Sequence, residues 1–323
     1  MSAGYDAARS AAAFVDRSDR LRVEFSGAKA VDTLNGLFTN DITKLKPGSG
    51  LYAAALTNKG KVIADVRVFA LADKYIVDTS AAAGPGFSAM IKKYVNPRLA
   101  AYRDVSAEFG TIGVFGPDAA RVLAEAGGSD AAVLGALGPY GHIVHKGGFW
   151  ARIPDLGVDG FDVIAPLAAQ SGIRAALVRA GAIELDAAGA DVLRIEGGRP
   201  LWGTDMDENT LAQEAALDRA DLNAISFDKG CYTGQETVAR VHFRGHVNRT
   251  LRGLRASAPL ARGATLHGSD GTQLGDVRSV AQSPRFGAIA LAYVRREVED
   301  GSPVTVRWDG GEVGAAVSPV PFA

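Results

Sequence analysis

Lys229-Gly230-Cys231-Tyr232-Thr233-Gly234-Gln235-Glu236 is the stretch around which this 323-residue chain is read. It contains the only cysteine of the sequence. Thr233 and Glu236 have the S/T-x-x-E spacing of a capping box, which predicts a helix beginning at Gly234. Cys231 then sits just outside a helix N-terminus, where the macrodipole is positive and backbone N–H groups lack partners. Lys229 adds a second positive charge, and both effects favour thiolate over thiol. The competing reading of a lone cysteine is a small buried hydrophobe.

Downstream lie Arg240, His242, Arg244, His246, Arg249, Arg252 and Arg255, interleaved with Val238, Val241, Phe243 and Val247. This basic run can take an anionic tail such as polyglutamate, a phosphate or RNA, or it can be a solvated helix face. His242 and His246 have the i, i+4 spacing of a metal pair, with Cys231 as a third ligand, but Gly245 stands between them and the Glu of H-E-x-x-H is missing. No metal is expected there, or at the acidic loop Thr204–Asn209, whose spacing is not that of an EF-hand. Upstream, Leu193-Arg194-Ile195-Glu196 ends a helix stopped by Gly197-Gly198. A glutamate at a helix C-terminus opposes the dipole, so Glu196 needs Arg194, Arg199 or a ligand with paired donors, such as the N–H and NH2 edge of a pterin.

Toward the N-terminus, residues 21–25 alternate as a strand, and Ser26 is positioned to cap a helix carrying Val31, Leu34, Leu37 and Phe38 on one face. Residues 51–56, 62–71 and 75–78 read as an antiparallel meander. Asp65 falls inside the second of these strands and shares its face with Arg67 by the period of two. A carboxylate in an apolar strand is costly unless paired, so Asp65 is either bridged to Arg67 or meets a ligand. Strands and helices then alternate irregularly without a glycine fingerprint, which argues against a Rossmann domain and suggests α+β. Beyond residues 247–251, glycines punctuate short β-rich runs at the spacing of a small barrel or sandwich.

A length of 323 suggests two domains, and one cysteine cannot form an internal disulfide, which fits a reducing compartment. With 35 basic and 36 acidic residues, the formal charge of −1 gives no reason to expect nucleic acid or an anionic membrane as partner. Neither a secretory signal nor an apolar run of bilayer length is visible. The expectation is a cytoplasmic protein, or one of the mitochondrial matrix if eukaryotic.

The Lys229–Glu236 string resembles the signature of the YgfZ-type folate-binding proteins, relatives of the glycine-cleavage aminomethyltransferase (T-protein). Arg194-Ile195-Glu196-Gly197 with Pro200 and Asp205, Gln213-Glu214 and Ile225-Ser226-Phe227 follow the same pattern. So do Ser26-Gly27-Ala28, Ala30, Leu34, Thr39-Asn40-Asp41, Leu45, Gly48, Leu56-x-x-Lys59-Gly60 and, at the C-terminal end, Gly275 to Pro319. The resemblance covers nearly the whole chain. It implies a ring-like, aminomethyltransferase-like body of antiparallel sheets with helices over residues 1–247, in two lobes. Residues 248–323 would form a small β-barrel domain. It implies tetrahydrofolate as cofactor and a role in iron–sulfur cluster assembly or repair. The partners would be iron–sulfur proteins, including tRNA-modification enzymes, or assembly factors. Under it, Cys231, Lys229 and Asp65 are the reactive residues, and Glu196, Asp65, Asn40 and Arg240 the folate contacts. The alternative is a folate-dependent aminomethyltransferase or other one-carbon transferase. Transferases carry paired aspartates where this chain has Ala64-Asp65, and they lack the cysteine motif.

Overall fold

The structure is a computed structural model that describes residues 3–323. A five-stranded antiparallel sheet has the order β3 (Gly50–Leu56), β4 (Val62–Ala70), β5 (Lys74–Ser80), β2 (Arg20–Ser26), β6 (Ala101–Asp104). Helices α2 (Ala30–Leu37) and α3 (Gly84–Tyr94) cover one face of it. Along β4 the period of two separates two environments. Ala64, Val66 and Val68 pack against Leu34, Phe38, Phe87 and Met90 in the helix-side core. Asp65, Arg67 and Phe69 face the opposite way, and Phe69 joins a second core with Phe149 and Ile164.

That second core is shared with a six-stranded sheet of order β11 (Ile183–Glu184), β1 (Ala13–Asp16), β7 (Phe109–Phe115), β10 (Gly160–Pro166), β9 (Gly148–Arg152), β8 (His142–His145). Its helices are α4 (Ala119–Gly127), α5 (Ala131–Gly135) and α6 (Gln170–Arg179). They pack over Phe14, Val114, Trp150 and Phe161. The N-terminal helix α1 (Ala3–Ser10) and α7 (Ala187–Glu196) close the end of this sheet. After α8 (Gln235–Arg244), a closed barrel follows, of order β12 (Arg249–Ala256), β15 (Gly287–Arg295), β14 (Gln273–Ser283), β13 (Thr265–His267), β16 (Pro303–Trp308), β17 (Gly311–Ser318). Closure leaves this small sheet no free edge, and α7 packs on it through Ile195, Leu251 and Tyr293. The fold is the α+β body with a C-terminal barrel expected from the sequence. No helix among the described residues is long and apolar enough to cross a membrane.

Two local expectations need correction. Ser26 ends β2 rather than capping α2, whose N-cap is Lys29 without a side-chain hydrogen bond. The Thr233/Glu236 capping box does not form either. The helix starts at Gln235, and its N-cap is Gly234 at φ 85°, with no side-chain cap. A Cβ at Gly234 would stand 2.5 Å from the Thr57 carbonyl oxygen, so both the left-handed backbone and the close approach require glycine.

Candidate functional site

Strand register sets up the site. Arg67 lies opposite Tyr52 on β3 and Asp78 on β5, and Asp78 lies opposite Arg22 on β2. Charged residues on three neighbouring strands are thereby stacked on one face, which β10 meets with Asp162. The Arg67 guanidinium spends its donors on three carboxylates. Nε and Nη2 donate to Asp78 Oδ1 at 2.9 and 2.6 Å, and Nη1 donates to Asp162 Oδ2 at 2.7 Å and Asp155 Oδ2 at 3.0 Å. Arg17 bridges Asp155 at 2.7 Å and Asp162 at 3.2 Å. Arg22 and Arg20 complete the shell around Asp78. Burial alone would raise the Asp78 pKa, but Arg20, Arg67 and Arg22 outweigh it and hold the carboxyl far below its usual range. Asp155 is lowered in the same way by Arg67 and Arg17 against its own burial.

Asp65 stands apart from this network. Arg67 does not bridge it. Its Oδ2 accepts a hydrogen bond from Tyr52 Oη at 3.0 Å, while its buried Oδ1 has no partner. Burial, the largest influence, raises its pKa, and the Tyr52 hydrogen bond and the field of Arg20 only partly offset this. Asp65, Arg67, Tyr52, Tyr140, Asp155, Arg199 and Trp202 are among the residues that line a cavity of about 540 Å3 between the two sheets and the 187–204 segment. That volume suits a small molecule of cofactor size, for which sites run from ~300 to 1,000 Å3. The Tyr52 and Tyr140 rings are stacked with centroids 6.1 Å apart and planes 11° from parallel. Trp202 Nε1 is a second buried polar atom without a partner. An aromatic platform, an unpaired carboxylate oxygen and an unpaired N–H donor fit a flat heterocycle bearing both donors and acceptors.

The other residues singled out from the sequence lie elsewhere. Glu196 does not line the cavity: Tyr5 Oη donates to it at 2.7 Å, Ser283 Oγ at 2.5 Å, and Arg9 pairs with its second oxygen. Its carboxylate is engaged by α1 and the barrel. Asn40 is also engaged, donating to the carbonyls of Tyr52 and Asn223 at 2.9 and 2.7 Å and accepting from the Asp41 N–H at 2.8 Å. Arg240 is exposed on α8 and does not line the cavity. Lys229 is buried, and its ammonium donates to the carbonyls of Asn35, Phe38 and Asn40 at 2.5, 2.7 and 3.0 Å. It therefore anchors its loop to the end of α2 rather than leaving a free charge for the thiol. Burial lowers its pKa to about 8. Cys231 is an exposed free thiol outside the cavity lining. Among the described residues no three His, Cys, Asp or Glu side chains converge as a metal set.

Asp78, Asp162, Arg22 and Arg17 escaped the sequence reading. Asp78 in Tyr75–Asp78 and Asp162 in Gly160–Ala165 are, like Asp65, carboxylates inside apolar strands, a signal legible in the sequence.

Fold and site together define a small-molecule-binding α+β protein with a C-terminal barrel. Residues 1–223 match the GCVT N-terminal domain, and residues 249–323 match the glycine cleavage T-protein C-terminal barrel domain. The chain belongs to this glycine-cleavage T-protein family. An aminomethyltransferase of Rubrobacter xylanophilus is 30% identical over 331 residues, covering 100% of this chain and 86% of the relative. One of Ralstonia pickettii is 30% identical, covering 98% and 88%. The crystal structure of the glycine cleavage system aminomethyltransferase T from Bartonella henselae superposes with a TM-score of 0.87 at 23% identity, over 99% of this chain and 88% of that one. The aminomethyltransferases of this family and their homologues use tetrahydrofolate.

Proposed function

We propose that this chain is a tetrahydrofolate-binding protein of the YgfZ type, acting in iron–sulfur cluster assembly or repair in the cytoplasm or mitochondrial matrix. The observation that carries this reading is the exposed Cys231, held on its own anchored loop outside the cavity. A cysteine serving one-carbon chemistry would have to face the cofactor. A cysteine serving a client's cluster, where thiolates are the ordinary iron ligands, has to face solvent.

In the cavity, Tyr52 and Tyr140 would hold the pterin plane, with Asp65 Oδ1 and Trp202 Nε1 meeting its edge. Tetrahydrofolate, when bound, supplies nucleophilic nitrogens that carry one-carbon units. Asp65, with its raised pKa, can hold or release a proton at Oδ1, while Arg67 stays committed to Asp78, Asp155 and Asp162.

The test is complementation of a strain lacking the gene, read as the activity of a [4Fe–4S] enzyme. Wild type restores it, and Cys231→Ser is expected to leave it at the empty-vector level. Full rescue by Cys231→Ser would overturn the reading.

The unpaired carboxylate at Asp65 favours a second reading, a folate-dependent one-carbon transferase. It predicts turnover of an aminomethylated lipoyl carrier protein with tetrahydrofolate. We expect none, because Ala64 stands where the transferases resembled by this chain carry the first of two aspartates.

A further inference from the structure

The loop that carries Cys231 and the helix that follows it form one surface feature. Phe227 stacks on His242 with ring centroids 3.6 Å apart and planes 15° from parallel, near the C-terminal end of α8. Gly234 caps the N-terminal end of the same helix. Residues 228–234 are thus held against both ends of α8. A ten-residue helix is ~15 Å long, and the loop that carries Cys231 joins its two ends.

The C-terminal half of that helix is unusually bare. Phe243 is 67% exposed, its ring standing edge-on to His242 at 4.7 Å. Arg240, Arg244 and His246 are exposed, and neither guanidinium has an ion-pair partner among the described residues. Elsewhere most arginines of the chain are paired, as Arg249 is with Glu214 at 3.1 Å and Arg174 with Asp16 at 2.7 Å. An exposed aromatic flanked by free guanidiniums is the composition of an interface anchor with a charged rim.

We propose that the Phe243 end of α8 is a docking surface for an acidic client protein. An apolar pocket of the client receives Phe243, and its carboxylates pair with Arg240 and Arg244. This rests on the reading that Cys231 serves a client, and it explains why the cysteine's loop is joined to this helix. Charge complementarity favours an acidic protein over RNA. Two arginines and two histidines on a chain of net charge −1 and pI about 6.5 make a small electrostatic footprint for a phosphate backbone.

Two substitutions test it in the full-length protein: Phe243→Ser and Arg244→Glu. Both change exposed side chains, so tetrahydrofolate affinity should stay at the wild-type value, which also verifies folding. Each should lower the rescued [4Fe–4S] enzyme activity by at least about tenfold, as loss of an interface anchor does. A photo-crosslinking benzoylphenylalanine at position 243, used in cells, should join an acidic protein. The adduct should disappear on charge reversal, and the same crosslinker at exposed Val144 should not form it. Wild-type rescue by both variants, an adduct that survives charge reversal, or an RNA adduct would overturn the proposal. If Cys231→Ser rescued fully while the adduct behaved as described, the cluster-serving reading would fail and the docking surface would stand.

Discussion

Asp65 carries a cost that its neighbours do not. Its Oδ1 is buried without a partner, and its folded-state pKa lies above the unfolded one. The sign follows from proton binding: the folded state holds this proton more tightly, so the residue's contribution is favourable at low pH and is lost as pH rises through the folded value. Above the unfolded carboxylate pKa, Asp65 therefore costs stability relative to low pH. Asp65→Asn is expected to stabilise the ligand-free protein at pH 7 by about 1 kcal/mol, while the added stability from tetrahydrofolate falls. Urea unfolding with and without the cofactor reads both. A destabilised variant with an unchanged folate effect would remove Asp65 from the site. Lys229 makes the opposite case. Its ammonium sits on three carbonyls, so Lys229→Met should cost about 2–3 kcal/mol. In the fraction that stays folded, the alkylation rate of Cys231 should hardly change. A large rate fall in a stably folded Lys229→Met protein would restore the lysine to the role the sequence suggested.

At the scale of elements, the link between loop and helix depends on Gly234. Alanine there would need φ near 85° and would set its Cβ 2.5 Å from the Thr57 carbonyl oxygen. Gly234→Ala should cost at least about 2 kcal/mol and loosen the Cys231 loop. Faster proteolysis between residues 228 and 234 is the expected sign, and unchanged cleavage and stability would contradict it. This position also shows where the sequence was legible. The glycine marked a helix boundary correctly, but the capping-box spacing beside it did not become a capping box. The backbone turn at Gly234, fixed by contact with the distant Thr57, left Thr233 outside the cap. Strands fared better, because the alternation in 62–70 reports a local choice between two faces. Partners distant in sequence were hidden. Glu196 was marked as needing a donor, but the donors come from Tyr5, Arg9 and Ser283, each 87 or more positions away.

For the molecule as a whole, the Arg67 network is the polar joint between the two sheets. Asp78 belongs to the five-stranded sheet and Asp162 to the six-stranded one, and Arg67 holds both. Removing the central charge would leave three carboxylates facing one another, so Arg67→Met should destabilise by about 3–5 kcal/mol. The same joint fixes how the protein responds to acid. Asp78 and Asp155 both have folded pKa values below their unfolded ones. Their stabilisation is therefore present in full above the unfolded carboxylate pKa of about 4. It is lost as pH falls through and below that value, because the unfolded chain takes up protons first. Thermal unfolding should show a steep fall in Tm below about pH 4. In Asp78→Asn the starting Tm is lower and the acid slope shallower, since one of the linked protons is gone. If the slope were unchanged in that variant, acid sensitivity would arise elsewhere, and the joint would be held by the shared apolar core of Phe69, Phe149 and Ile164 rather than by its charges.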